Sequence, residues 1–201
     1  LSGNRREGSE NALASQMREL QTRLEETVGP VSPTASRLYA DLGAVLRRAV
    51  SSEVLRNGAH DVSKLLRMSE GKVVDGGIVY ELIGGPDEID FIRLTEGISE
   101  RERFVRDDGA VIHFRLIILE TSQTIELLTY GYEIYFPTRT PLAFVRFDLN
   151  RRGHENDDRG LRAHLHPGHE DVQLPCPMLA PVEALNFLLY RCRTLRDVTR
   201  T

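Results

Sequence analysis

From residue 9 the chain alternates apolar and polar positions with the period of a helix. In "SENALASQMRELQTRLEETV", Leu13, Met17, Leu20, Leu24 and Val28 recur at spacings of four and three, with charged residues on the other faces. The helix this predicts stops at "GPVSP", residues 29–33, because proline cannot continue the hydrogen-bond ladder. A second helix is predicted over roughly 34–56, with Leu38, Leu42, Val45, Leu46, Ala49 and Val50 on one side. "RNGAHD" ends it, and a short third helix is expected from Val62 to Arg67. Residues 1–8 are expected to be disordered, and 9–70 to form a helical arm or hairpin. Its apolar stripe is narrow and has coiled-coil-like spacing. The first expectation is a hairpin packed on the protein's own sheet. The alternative is an arm over 9–57 that binds a protein partner or a second copy of the chain as a homodimer.

From Lys72 the period changes to two. Candidate strands are 72–83, 88–96, 101–107, 110–120, 124–136 and 141–150. The breaks "GGPDE" (84–88), "DDG" (107–109) and "TSQT" (121–124) carry turn chemistry. Connections this short make hairpins, so the sheet should be mostly antiparallel. A last helix is predicted at about 180–193. Pro181 fits its first turn, Glu183 suits its positive end, and Ala184, Leu185, Leu188 and Leu189 form one apolar face. The expected fold class is therefore α+β: an N-terminal helical arm, a curved, mostly antiparallel β-sheet, and a C-terminal helix packed on the sheet. Residues 71–201 would form the sheet domain.

Composition narrows the functional classes. The 201 residues carry a formal net charge of −4, so bulk charge does not attract nucleic acid and a polyanion would need a local basic patch. No apolar run approaches the ~20 residues of a membrane span, and no signal-peptide pattern opens the chain. Cys176 and Cys192 are too few for a disulfide framework, which favours a cytoplasmic protein. "LIGGPDE" is neither a dinucleotide fingerprint nor a phosphate loop, and there is no G-x-S-x-G elbow. Cys176, between two prolines, reads as a packed thiol. Tyr130, Tyr132 and Tyr135 read first as packing residues, with base stacking as the alternative. The tail arginines 191, 193, 196 and 200 are expected from the helix dipole alone.

The candidate chemistry lies in two segments. Along "PLAFVRFDLN", alternation puts Arg146, Asp148 and Asn150 on one face, and Ala143, Val145, Phe147 and Leu149 on the other. "LRAHLH" splits in the same way, with Arg162, His164 and His166 opposite Leu161, Ala163 and Leu165. Paired as antiparallel neighbours, the two segments would make one polar surface. His113 and Arg115 could extend it. The loop "RRGHENDDRG" adds His154, and "HPGH" brings His169 and Asp171 near, so four of the six histidines fall between positions 154 and 169.

This surface admits three readings. One is an ordinary solvated sheet face. A second is a site for zinc or another divalent metal, held by His154, His164, His166 and Asp148, although no standard ligand spacing is present. The third needs no cofactor: acid–base cleavage of RNA. Histidines would serve as base and acid, arginine would steady the phosphoryl charge, and a carboxylate would orient a histidine. His164, His166, Asp148, Arg146 or Arg162, and the loop's His154, are the residues for those roles.

The order "VRFDLN", a loop histidine, "RAHLHPG" and "VQLPCPMLAPVEALNFLL" resembles the TumE-type toxins of bacterial toxin–antitoxin pairs. The likeness covers about 141–190 in motif and 71–193 in layout, and the N-terminal helices are additional to it. It implies a toxin or defence role, an antitoxin or other subunit as partner, and importance for Arg146, Asp148, His154, His164 and His166. Joined to the polar surface, it makes a ribonuclease the leading expectation. A non-catalytic interaction module built on the arm is the rival.

Overall fold

The computed structural model describes residues 15, 19, 20, 22, 23, 32–86, 102–136 and 142–193. Among the described residues from 32 onward the fold is α+β: four helices and a nine-stranded, open antiparallel sheet. Residues 1–8, the strand predicted at 88–96 and the tail arginines 196 and 200 lie outside the described residues. Of the first predicted helix, Ser15, Glu19, Leu20, Thr22 and Arg23 are described; they are helical and exposed.

Helix α1 (Ala35–Ser51) starts at Thr34, whose side chain accepts from the Arg37 amide at 3.1 Å. Its last residue, Ser51, falls five short of the predicted limit of 56; Ser52 caps it, and Glu53 follows in a left-handed conformation (φ 57°). Its predicted stripe is consumed by the protein's own core: Leu38, Leu42, Val45, Leu46 and Ala49 are all buried. Fully burying each leucine contributes roughly 1.5–3 kcal/mol. The predicted third helix is α2 (Ala59–Leu65). Residues 66–67, expected at its end, instead open strand β1 (Leu66–Met68).

The predicted strand 72–83 is a hairpin, β2 (Lys72–Val74) and β3 (Gly77–Gly84), closed by Asp75–Gly76 with Gly76 at φ 91°. "VDGGI" is itself a turn signal of the Asp-Gly type. The remaining strands are β4 (Phe104–Val105), β5 (Val111–Glu120), β6 (Ile125–Tyr135), β7 (Phe144–Leu149), β8 (Ala163–His166) and β9 (Leu174–Pro175). Their order is β1-β3-β5-β6-β7-β8-β9, with β2 also on β3 and β4 also on β5. A bulge between Ile117 and Ile118 shifts the β5–β6 register, a device that bends a sheet.

One sheet face is apolar. Leu82, Phe114, Leu116, Tyr132, Phe147 and Leu149 belong to one buried cluster with α1 and with the C-terminal helix α4 (Pro181–Asn186). The last turns, Phe187–Arg191, widen into a π-helix. Arg106, fully buried, ties them down: its guanidinium donates to the Leu188 carbonyl at 2.7 Å and the Cys192 carbonyl at 2.6 Å, and it pairs with Asp108. Those carbonyls lie at the helix end, where partners within the helix run out. With the core side closed by helices, the opposite sheet face is left for polar residues.

Candidate metal centre

Strands β7 and β8 pair in the register Arg146↔His166 and Asp148↔His164. Across β6 the rows continue to Glu133, opposite Arg146, and Gly131, opposite Asp148. On β5 they reach His113, opposite Glu133, and Arg115, opposite Gly131. The face thus carries two transverse rows of polar side chains, because side chains at i and i+2 of a strand point the same way. Gly131 keeps the space beside Asp148 open: an added Cβ would lie 3.4 Å from Asp148 Oδ1.

At the β7–β8 seam three groups converge. His164 Nε2 lies 3.1 Å from His166 Nε2. Asp148 Oδ2 lies 3.3 Å from His166 Nε2 and 3.6 Å from His164 Nε2. The two histidines are each only 2% exposed. The other ring nitrogens face carbonyls, which can only accept: His164 Nδ1 donates to Leu161 at 2.8 Å, and His166 Nδ1 faces His169 at 3.4 Å. With Nδ1 carrying the hydrogen, a neutral imidazole presents a lone pair at Nε2. Burial lowers the His164 pKa, Asp148 raises it in part, and the nearby His166 lowers it; the net shift is downward, toward the neutral form. Two lone pairs and a carboxylate oxygen therefore point at one another. One proton can bridge only one pair of them, whereas one cation could engage all three, with Asp148 Oδ2 also accepting from Arg146 Nε.

The supporting contacts are of a kind that orients metal ligands: carbonyls fix the imidazole tautomer and the carboxylate is itself hydrogen-bonded. Arg146 Nε donates to Asp148 Oδ2 at 2.8 Å. Its outer edge forms a two-pronged pair with Glu170, Nη1–Oε1 at 2.9 Å and Nη2–Oε2 at 2.7 Å. Burial alone would lower the Arg146 pKa, but Asp148 and Glu170 outweigh it and raise it, so this arginine stays charged. Beside it is a groove of about 530 Å³ whose lining includes Glu133, Tyr135, Phe144, Arg146, His169 and Glu170. Burial pushes the Glu133 carboxyl up, although it accepts a hydrogen bond from Tyr135 and faces the Arg146 charge.

The other predicted site residues occupy different settings. His154 is exposed in the β7–β8 loop, where its Nδ1 accepts from the Asn156 amide at 3.2 Å and caps the single turn α3 (Glu155–Asp158). Among the described residues it is not one of the converging metal-ligand candidates, which are Asp148, His164 and His166. Arg162 is buried beside Asn150, whose amide donates to its carbonyl, and its charge acts on Tyr130. His169 is exposed, and its carbonyl rather than its ring faces the cluster. Tyr130 is core-facing and accepts from the Leu179 amide, and Tyr132 stacks on Phe114 with ring centres 5.2 Å apart, so both are packing residues. Glu133 was not singled out from sequence. Its signal was available, a charged residue at an alternating position of "YGYEIY", but the tyrosines beside it read as packing.

Compared with known proteins, the chain matches no family model, no curated protein and no solved structure. Among the described residues no helix is long and apolar enough to cross a membrane.

Proposed function

We propose that this protein is a metal-dependent hydrolase centred on one divalent transition ion held by Asp148, His164 and His166. The observation that carries this reading is the convergence of two buried Nε2 lone pairs and a carboxylate oxygen, all within 4.8 Å of one another. Two imidazoles and a carboxylate suit zinc and the neighbouring first-row metals. Three protein donors leave positions for water and substrate, as catalytic rather than structural sites do. Bound there, the ion would supply Lewis acidity and a water of lowered pKa. The protein's part is to hold the imidazoles in one tautomer through the Leu161 and His169 carbonyls and to orient Asp148 through Arg146. Glu133, whose carboxyl burial pushes up, lines the groove beside Arg146.

Phosphodiesters, and RNA among them, are the substrate class we propose. That part rests on the resemblance to TumE-type toxins, and with it a toxin or defence role and an antitoxin-like partner. A metal-free ribonuclease is the second reading, favoured by the Asp148 carboxylate 3.3 Å from His166. A base and an acid acting on one phosphodiester must lie on either side of it. The Nε2 atoms here face each other at 3.1 Å, and that closeness ranks the metal reading first.

The test is elemental analysis of the purified chain, together with cleavage of a mixed RNA pool with and without chelator, for the wild type and for His164→Ala and His166→Ala. Stoichiometric metal and chelator-sensitive cleavage, both lost in the variants, are expected. Cleavage that persists in metal-stripped protein but needs both histidines would transfer the assignment to the acid–base reading. Undiminished cleavage in both variants would remove both.

A further inference from the structure

We infer that the outer edge of Arg146 is the anchor for the substrate's phosphate and that the Glu170 carboxylate is a displaceable stand-in for it. This rests on the hydrolase reading above and goes beyond it by assigning how the anionic group is held.

The guanidinium divides its donors between two carboxylates. Nε is committed inward to Asp148 at 2.8 Å, and the Nη1/Nη2 edge is committed outward to Glu170 at 2.9 and 2.7 Å. The two partners differ in how firmly they are held. The Asp148 side chain is 17% exposed and sits on a central strand, whereas the Glu170 side chain is 61% exposed in the loop after the Pro167–Gly168 turn. Asp148 is enclosed by Arg146, His164 and His166, while the exposed Glu170 can leave by rotating its own side chain. The edge that Glu170 covers opens on the groove lined by Glu133, Tyr135, Phe144 and His169. Two parallel N–H donors from one guanidinium match a phosphate as well as a carboxylate. A phosphate oxygen pair at the Glu170 carboxylate position would lie one guanidinium width from Asp148, beside the converging donors. Arg146 is in this sense both the orienter of one ligand and the handle for the substrate.

The magnitude follows from competition. A largely exposed, two-pronged pair holds its closed form over its open form by roughly twofold to tenfold. An anion that needs the open form binds more weakly by one plus that ratio, about threefold to tenfold. Removing the competing charge should then tighten the anion by about threefold to tenfold.

The experiment uses the full chain in metal-free and zinc-loaded forms, wild type and Glu170→Gln. Dimethyl phosphate, a diester anion, and acetate are titrated by isothermal calorimetry against these forms and Arg146→Gln, with the Arg146 Nε–H resonance followed where Arg146 is present and zinc content measured in parallel. The expected result is a threefold to tenfold fall in the dimethyl phosphate dissociation constant in Glu170→Gln, already present without zinc, and absent in Arg146→Gln. An unchanged dissociation constant in Glu170→Gln overturns the inference. Tighter binding of acetate than of dimethyl phosphate overturns the phosphate assignment in favour of a carboxylate substrate. A chain that takes up no zinc yet tightens on dimethyl phosphate refutes a zinc centre and leaves the anchor standing, so the two readings fail separately.

Discussion

An ion seated among Asp148, His164 and His166 binds only the folded chain, because the donors come from two strands separated by a long loop. It must therefore raise thermal stability. At an ion concentration one hundred times its dissociation constant the gain is about 2.7 kcal/mol. For a chain of this size each kcal/mol moves Tm by roughly 2–4 °C, so the expected rise is about 5–11 °C. His166→Ala removes one of three donors. Losing a mere supporting contact typically costs about 10–100-fold in metal affinity. The variant loses at least that, which leaves no more than about 1.4 kcal/mol, or about 6 °C, at the same ion concentration. The assay is a thermal melt of metal-stripped wild type, His164→Ala and His166→Ala against a panel of zinc, manganese, iron(II), cobalt and nickel. A wild type that no ion in the panel stabilises refutes the reasoning. So does a rise of the same size in both variants, since the ion would then be binding elsewhere.

Three further predictions concern other buried groups. Arg106→Met leaves the Asp108 carboxylate buried without its partner and the Leu188 and Cys192 carbonyls without their donor, so it should cost about 3–5 kcal/mol in urea unfolding; a loss below about 1 kcal/mol would show that the pair is dispensable. Burial alone would raise the Asp108 pKa, but the hydrogen bond and charge of Arg106 hold it below its ordinary 3.8. A carboxylate with a depressed folded pKa stabilises above its unfolded pKa and loses that contribution as pH falls through the folded one. The stability gap between wild type and Asp108→Asn should therefore be full above pH 3.8 and shrink below it, as denaturant midpoints across the acid range would report. Burial pushes the Cys176 thiol up to about 12, with the Asp148 charge adding to the effect. Alkylation of Cys176 at pH 8 should accordingly be slow in the native chain and fast once it is unfolded, and peptide mapping that found rapid native labelling would contradict its burial.

The polar face of the site could be read directly from the chain. Period two in "VRFDLN" and "RAHLH" places Arg146 with Asp148 and His164 with His166, because alternation is a local property of an extended backbone. The helical stripe of α1, the antiparallel sheet and the C-terminal helix were legible for the same reason: each needs only a few neighbouring residues to declare its period. The hairpin at Asp75–Gly76 was missed because the apolar pattern runs on through it, and the turn residues were the better guide.

What the tertiary structure decided is which of these residues meet. Register between β7 and β8 is a long-range pairing across a loop, and it alone sets Asp148 opposite His164 and Arg146 opposite His166. The fold also sorts the histidines. His154 spends its ring on capping one helical turn and His169 offers its carbonyl, while the other pair lose their solvent and face each other. Glu170 reaches Arg146 because the chain reverses at Pro167–Gly168, with Gly168 at φ 89°, and Glu133 enters through a strand on the far side of β7. Such meetings depend on contacts distant in sequence, whereas a hydrophobic period encodes only which way each side chain points.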